Sequence, residues 1–388
     1  MKSKIAGLVT FGALAVLSLS VAAVSVNAAA VMEHSDEAGA VYVSTNESNG
    51  NAVLVFNRSA DGRLKSAGSF STGGMGTGGR EPDFGLGNAG ALALSEDKHF
   101  LFAVNPGSND ISVFVVGPDG ITLVDRESSG GQQPISVTVN QNLVYVLNAG
   151  GNVGGRDNIS GFLVDWQGKL SPLVGSIRPL SADATAPAEI RFRPDGRVLV
   201  VTEKTTNMID TYTVGYDGRA DGPRVTPSGV QTPFGFDLKK NQLFVTDDFN
   251  DAPGAGALSS WLVANDGSLQ LVSSVVLAHE SGACWVKVSH DGLHAYVSDT
   301  VSSTEAVYTI DEETGSVTLD EAFPSVVGPT ELDFSSDGRF LYVLNPNEFN
   351  QTTPPGVDAF RVDPRDGSLT PMPGVSGLPA SVDGLAVR

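Results

Sequence analysis

Short runs of alternating or continuous apolar residues recur from Tyr42 to the C-terminus, and each is closed by a glycine, an aspartate or an asparagine. Ile111-Ser112-Val113-Phe114 alternates, whereas Phe340-Leu341-Tyr342-Val343-Leu344 is apolar throughout. A period of two places successive side chains on opposite faces of a strand, and no segment sustains the period of a helix. The runs are themselves ordered by a longer repeat. Phe56, Phe114, Phe162, Tyr212, Trp261, Tyr308 and Phe360 each precede a turn ending in glycine, at Gly62, Gly120, Gly168, Gly218, Gly267, Gly315 and Gly367. The intervals between these glycines are 58, 48, 50, 49, 48 and 52 residues. Asp-Gly between apolar runs marks a β-hairpin, because glycine accepts the positive φ of the turn. A second hairpin precedes each of these, most clearly at Pro194-Asp195-Gly196, Asp291-Gly292 and Asp337-Gly338.

Four strands and two tight turns per unit, repeated seven times, predict an all-β fold: a seven-bladed β-propeller of four-stranded antiparallel blades. Val41-Tyr42-Val43 reads as a second strand, so the first blade lacks its innermost strand at the N-terminus. The C-terminal run from Ala380 to Val387 resembles that strand with no hairpin after it, and the C-terminal strand closes the ring. In such a ring the tight turns lie on one face. The long connections, at 71–90, 148–158, 177–188, 247–259 and 345–356, gather on the other. A rigid scaffold carrying irregular loops on one side predicts a binding surface there. At the end of each second strand stands a polar residue: Thr45, Asn105, Asn148, Glu203, Asp247, Asp299 and Asn345. These predict a polar ring at the loop-rich mouth of the channel, with Asn105, Asn148, Asp247, Asp299 and Asn345 as ligand-binding candidates. The alternative is that they cap strand ends by bonding local backbone.

Composition narrows the partners. The formal net charge of −20 disfavours nucleic acid and anionic lipid, and it disfavours doubly anionic substrates unless basic residues are concentrated at the site. Lys2 and Lys4 precede an apolar run from Ile5 to Val26, followed by Asn27 and small alanines. That is the pattern of a secretory signal peptide cleaved before Ala29. The expected organisation is therefore a signal peptide at 1–28, a linker at 29–39 and the propeller at 40–388. A secreted, extracytoplasmic monomer is expected, with no membrane association after cleavage. Cys284 is the only cysteine, so there is no internal disulfide, and its alternating strand predicts a buried thiol. Five histidines are scattered, and only His279 falls on the loop-rich face, beside Glu280. No zinc site and no cofactor are expected, although Asp247, Asp248 and Glu203 have the oxygen chemistry to take calcium. The glycine-rich run at 73–79 lacks the Gly-Lys-Ser/Thr of a phosphate loop, and there is no Gly-x-Ser-x-Gly elbow.

Pro194-Asp195-Gly196-Arg197, the stretch from Ser336 to Asn345 and the Asp-Gly-Ser-Leu turns at 266–269 and 366–369 resemble the lactonase family of seven-bladed propellers. That family includes 6-phosphogluconolactonase and carboxymuconate cycloisomerases, and the resemblance covers roughly residues 40 to 388. It implies a lactone hydrolase or cycloisomerase. Its catalytic members open one blade with Arg-His and close that blade's second strand with Asn-Glu. Ala188-Glu189 and Glu203-Lys204 stand at those places here, and Gly90 replaces a histidine at the start of the second blade. Two readings remain. One is an enzyme for an uncharged or weakly anionic lactone, with Glu203 as general base, Lys204 or Arg80 facing the oxyanion, and His279 nearby. The other is a non-catalytic module that binds a glycan, a cell-wall component or a secreted protein through the same face.

Overall fold

A computed structural model describes residues 37–79, 89–118, 120–325, 327–346 and 353–388. The segment read as a signal peptide, most of the linker, and Arg80 lie outside these residues. The end of the expected linker is already strand, because the first one runs Glu37–Ser44.

Seven antiparallel sheets follow one another along the chain. Blade 4 shows the plan, from the channel outward: Pro187–Phe192, Val198–Glu203, Met208–Val214 and Ala220–Pro227. Blades 2, 5, 6 and 7 repeat it. In blade 3 the outer strand is split into Leu170–Pro172 and Arg178–Pro179, both paired with Asp157–Val164. Blade 1 takes its inner strand from the C-terminus, with Tyr42 opposite Ala386 and Val43 opposite Leu385, as the repeat predicts. Among the described residues the helical content is one 3-10 turn, Gly150–Val153.

The two kinds of apolar run have separate causes. Second strands such as Phe340–Asn345 and Val198–Glu203 are buried at every position, because neighbouring blades cover both of their faces. Outer strands such as Leu369–Ser376 have only their first residue fully buried and turn most of the rest to solvent. The long repeat is a lock between blades. Gly62 sits at φ +90, and a Cβ there would stand 2.5 Å from the Phe340 ring of the preceding blade. The Tyr342 hydroxyl donates to the Gly62 carbonyl at 2.7 Å. Tyr296 does the same to Gly367 at 2.8 Å, and Tyr145 to Gly218 at 3.0 Å. The turn glycines recur because each must tuck beneath the blade before it.

Two outcomes test this ring. Deleting residues 379–388 removes the strand that closes blade 1, and the truncated protein is expected to lose its cooperative thermal transition. A sharp melt within a few degrees of the full chain would contradict closure by that strand. Tyr342→Phe leaves the Gly62 carbonyl without its donor and is expected to cost about 1–3 kcal/mol in denaturant unfolding.

Candidate functional site

The innermost strand of each blade has an edge with no strand beside it, and its N–H groups need acceptors. Side chains of the preceding blade supply them. Ser136 and Thr138 hydroxyls of blade 3 accept from Ile190 and Phe192 of blade 4. Glu189 accepts from Phe236 N at 2.8 Å, and Asp237 accepts from Val288 N at 2.9 Å. Asp333 accepts from Val387 N at 3.0 Å. Glu331 bonds two blades at once, accepting from Gly90 N at 2.6 Å and Leu385 N at 2.7 Å.

Of these, Thr138, Glu189, Asp237, Glu331 and Asp333 line a cavity of about 530 Å³ in the channel. Blades 4 to 7 present Arg191, Asp237, Lys287 and Asp333, an arc of alternating sign. The Arg191 guanidinium bonds Glu189 Oε1 at 2.5 Å and stands 3.5 Å from Asp237. Lys287 Nζ is 3.0 Å from Asp333. Blades 1 to 3 oppose this arc with the small, uncharged Ala386, Ala93 and Thr138. Burial pulls the Lys287 ammonium down and the Asp333 carboxyl up, but each holds the other in its charged form and the balance favours the ion pair. Burial likewise raises Glu189 despite Arg191. Glu331 forms no ion pair among the described residues, and the Arg191 charge pulls its carboxyl down by less than burial raises it. Burial pushes its carboxyl up to about 7, against the pull of the Gly90 and Leu385 amides.

The cavity opens on the tight-turn face, not on the loop-rich face that the sequence singles out. Side-chain exposure rises from 2% at Glu189 through 10% at Asp237 and 19% at Asp333 to 21% at Lys287 and 29% at Arg191. Beyond them the lining continues through Lys98, Asn140, Pro194, His290 and Ser336, all in or beside first hairpins. At the opposite end, bulges at Ala188, Phe234–Gly235 and Cys284 displace the first strands of blades 4, 5 and 6. There Ala89, Ala188, Phe234, Cys284, Trp285 and Leu332, from five blades, belong to one packed cluster. The Phe234 and Trp285 rings lie 5.0 Å apart. The backbone itself crosses the axis. Ala89 N donates to Ala188 O at 3.2 Å, Val137 N donates to Gly90 O at 2.8 Å, and Gly90 N reaches Glu331 of blade 7. Gly90 holds φ +81, and a Cβ there would stand 2.7 Å from Ser136 Oγ. Only glycine fits this crossing without strain.

Most of the residues expected at the loop-rich mouth stand where their second strands end, but enclosed. Asn105 is fully buried, donating to Asp110 at 2.7 Å and Ser112 at 2.8 Å. Asn148 donates to Ser129 O and to Asn158 Oδ1. The Glu203 carboxylate accepts from Ser181 N at 2.9 Å and from the Ser181 and Thr206 hydroxyls, with no exposure to solvent. Asp247, Asp299 and Asn345 are buried as well, and burial pushes the Asp247 carboxyl up to about 8. These polar groups are enclosed where second strands end, and the bonds shown for Asn105, Asn148 and Glu203 are local capping. Lys204 rests with its ammonium 4.7 Å from the Phe234 ring, over the stopper. His279 is exposed in the connection between blades 5 and 6, at φ +62. None of these residues lines either cavity described here. Nor are Glu203, Asp247 and Asp248 brought together for calcium: among the described residues no three His, Cys, Asp or Glu side chains are grouped to hold a metal. Cys284 is buried, as its strand predicts.

The glycine-rich run instead helps to form a second cavity, of about 740 Å³, on the loop-rich face. Met75, Gly76, Thr77, Asn109, Gln132 and Gln133 line it, and among the described residues no charged side chain does. Arg191, Asp237, Lys287, Glu331 and Asp333 were not among the sequence candidates. Their signal was present: charged residues between apolar neighbours in the first strands of successive blades, as in Val286-Lys287-Val288 and Leu332-Asp333-Phe334.

A family model described as Lactonase, 7-bladed β-propeller matches residues 31–180 and 256–382. The periplasmic gluconolactonase of Pseudomonas aeruginosa is similar in structure, with a TM-score of 0.69 and 17% identity over 90% of this chain and 98% of that one. A candidate 6-phosphogluconolactonase of Bacteroides fragilis gives a TM-score of 0.65 and 18% identity over 90% and 98%. A protein of unknown function from Desulfotomaculum acetoxidans gives 0.67 and 13% over the same shares. The unmatched residues, 181–255, carry Glu189, Arg191 and Asp237 and one side of the stopper.

Buried carboxyls set the pH response. Asp247, Asp299, Glu305 and Glu331 all have raised pKa values, chiefly from burial. The folded state therefore binds protons that the unfolded chain has released above about pH 4. The stabilisation is complete below that pH and is lost as pH rises toward 7 and 8. Each group contributes a slope of about 1.4 kcal/mol per pH unit across its own window. The melting temperature is expected to be several degrees higher at pH 5 than at pH 8. A melt that rises over this range would contradict neutral buried carboxyls.

Proposed function

The chain belongs to the lactonase family of seven-bladed β-propellers, and from that premise we propose that it hydrolyses a lactone inside its central channel. One observation carries the reading: a carboxyl poised near pH 7, Glu331, shares an enclosed cavity with two cations, Arg191 and Lys287. Each Glu331 oxygen accepts one backbone N–H and keeps a second lone pair. As carboxylate, Glu331 takes a proton from water while the water oxygen attacks the lactone carbonyl carbon. Negative charge moves to the carbonyl oxygen, and Arg191 and Lys287 supply the opposing field in a partly desolvated site. Collapse of the tetrahedral species breaks the ring C–O bond, and the departing alkoxide takes the proton from Glu331. The product is an open-chain hydroxy acid, whose new carboxylate lies among the same cations. Glu203 and Lys204, which do not line the cavity, are given no part in these steps.

A second reading rests on the loop-rich cavity. Its lining of amides, the Ser48 and Thr77 hydroxyls and glycine backbone, uncharged among the described residues, suits an uncharged polyol such as a glycan chain bound without turnover. The signal-like N-terminus supports an extracytoplasmic setting for either role.

A panel of aldono- and simple δ-lactones assayed from pH 5 to 9 separates the two. Turnover is expected to rise through about pH 7 as Glu331 ionises. Glu331→Gln is expected to lower kcat by about 10²-fold or more. Because Glu331 also ties blades together, the variant's melting curve is recorded beside its rate, and the rate loss counts where the fold persists. No turnover of any lactone by the native protein, with saturable glycan binding, would replace the first reading by the second.

A further inference from the structure

The chain carries 24 basic residues against 44 acidic ones, yet the tight-turn mouth of the channel collects cations. Lys98 of blade 2 and His290 of blade 6 line the cavity where it opens, and Lys287 stands just inside. Lys239 of blade 5 donates from its ammonium to the His290 carbonyl oxygen, which adds charge at the same rim. His290 is exposed, with its ring 5.8 Å from that of Phe334; partial burial and the charges of Lys287, Lys239 and Lys98 hold its imidazole below its ordinary pKa, so it meets an anion as a neutral hydrogen-bond donor among three lysines. The acids facing this group are Asp333, which already holds Lys287 at 3.0 Å, Asp237, which also acts on Lys287, Asp291, which feels Lys239, and Glu96 at the rim. The positive charges of Lys98 and Lys287 both act on Asp333, so they share one local field. The opposite end of the channel is filled by Ala89–Gly90, Phe234 and Trp285.

We propose that ligands enter and leave the channel through the tight-turn mouth, where Lys98, Lys287 and His290 hold an oxyanion, carboxylate or phosphate, carried by the ligand. This rests on the channel as the working site. It is the exception that the net charge leaves open, because lysines gathered at one place on an acidic surface direct anions to that place and away from the rest of the molecule.

The probes are D-gluconate and inorganic phosphate, titrated by calorimetry and by the emission of Trp285, which lines the cavity. Lys98 sits at φ +59, so Lys98→Asn removes the charge while keeping a residue that tolerates this backbone. It is expected to weaken binding by about tenfold. Ser336→Trp narrows the mouth and is expected to abolish binding and to slow lactone turnover in parallel. Val153→Trp, beside the loop-rich cavity, is expected to change neither. Failure of both probes to bind the native protein overturns the proposal, as does native-like binding in Lys98→Asn and Ser336→Trp. Lactone turnover untouched by Ser336→Trp but reduced by Val153→Trp overturns the entry route alone and leaves hydrolysis standing. Anion binding with these mutational effects, but without turnover of any lactone, supports the mouth and removes hydrolysis.

Discussion

Every feature of the channel traces to the unpaired inner edge of seven strands. A propeller has no outer sheet on that side, and a row of N–H groups facing a narrow pore would cost several kcal/mol if left unbonded. The chain answers with acceptors on the preceding blade: hydroxyls on blade 3 and carboxylates on blades 4, 5 and 7. Carboxylates in a desolvated pore need counter-charge, and Arg191 and Lys287 provide it. Glu331 is the exception: two backbone donors satisfy it, burial holds its pKa near neutrality, and no ion pair fixes its protonation. The same constraint that builds the ring thus leaves one carboxyl free to exchange a proton.

Local changes have redirected a shared scaffold. Where the lactonase family places Arg-His and a neighbouring histidine, this chain has Ala188, Glu189 and Gly90. The two small residues admit the Ala89–Gly90 backbone across the axis, and Glu189 becomes a bond to blade 5. Bulges in blades 4, 5 and 6 bring Ala188, Phe234 and Cys284 into the same cluster. A pore so filled at one end is a cup, and the ion-pair arc lies toward its open side. Residues 181–255, outside the family match, carry Ala188, Glu189 and Phe234 of this change, and the matched residues carry Ala89, Gly90 and Cys284.

The fold was legible because its rule is local and repeated. Each turn glycine is required by the blade before it, as Gly62 is by Phe340, so the period appears directly in the chain. Ring closure was legible for the same reason, since Leu385–Val387 has the pattern of a strand that lacks a partner. The site was not. Polar residues at the ends of second strands share a phase because they bond the segment that follows, as Asn105 does, or the connection that enters their own blade, as Glu203 does, and a shared phase does not distinguish capping from display. The charged residues that do face the cavity are interspersed with apolar neighbours, and pattern alone cannot tell a strand edge facing a pore from one facing a sheet. The crossing at Gly90 was beyond reach, because it joins blades 2, 3, 4 and 7, far apart in sequence.

A crystal structure of the protein grown with D-gluconate measures the central claim most directly. The account predicts ligand density in the channel, its carboxylate toward Lys287 and Lys98, its hydroxyls toward Glu331, and the Ala89–Gly90 backbone unbroken above it. Density confined to the loop-rich cavity, or a channel open from face to face, would contradict it.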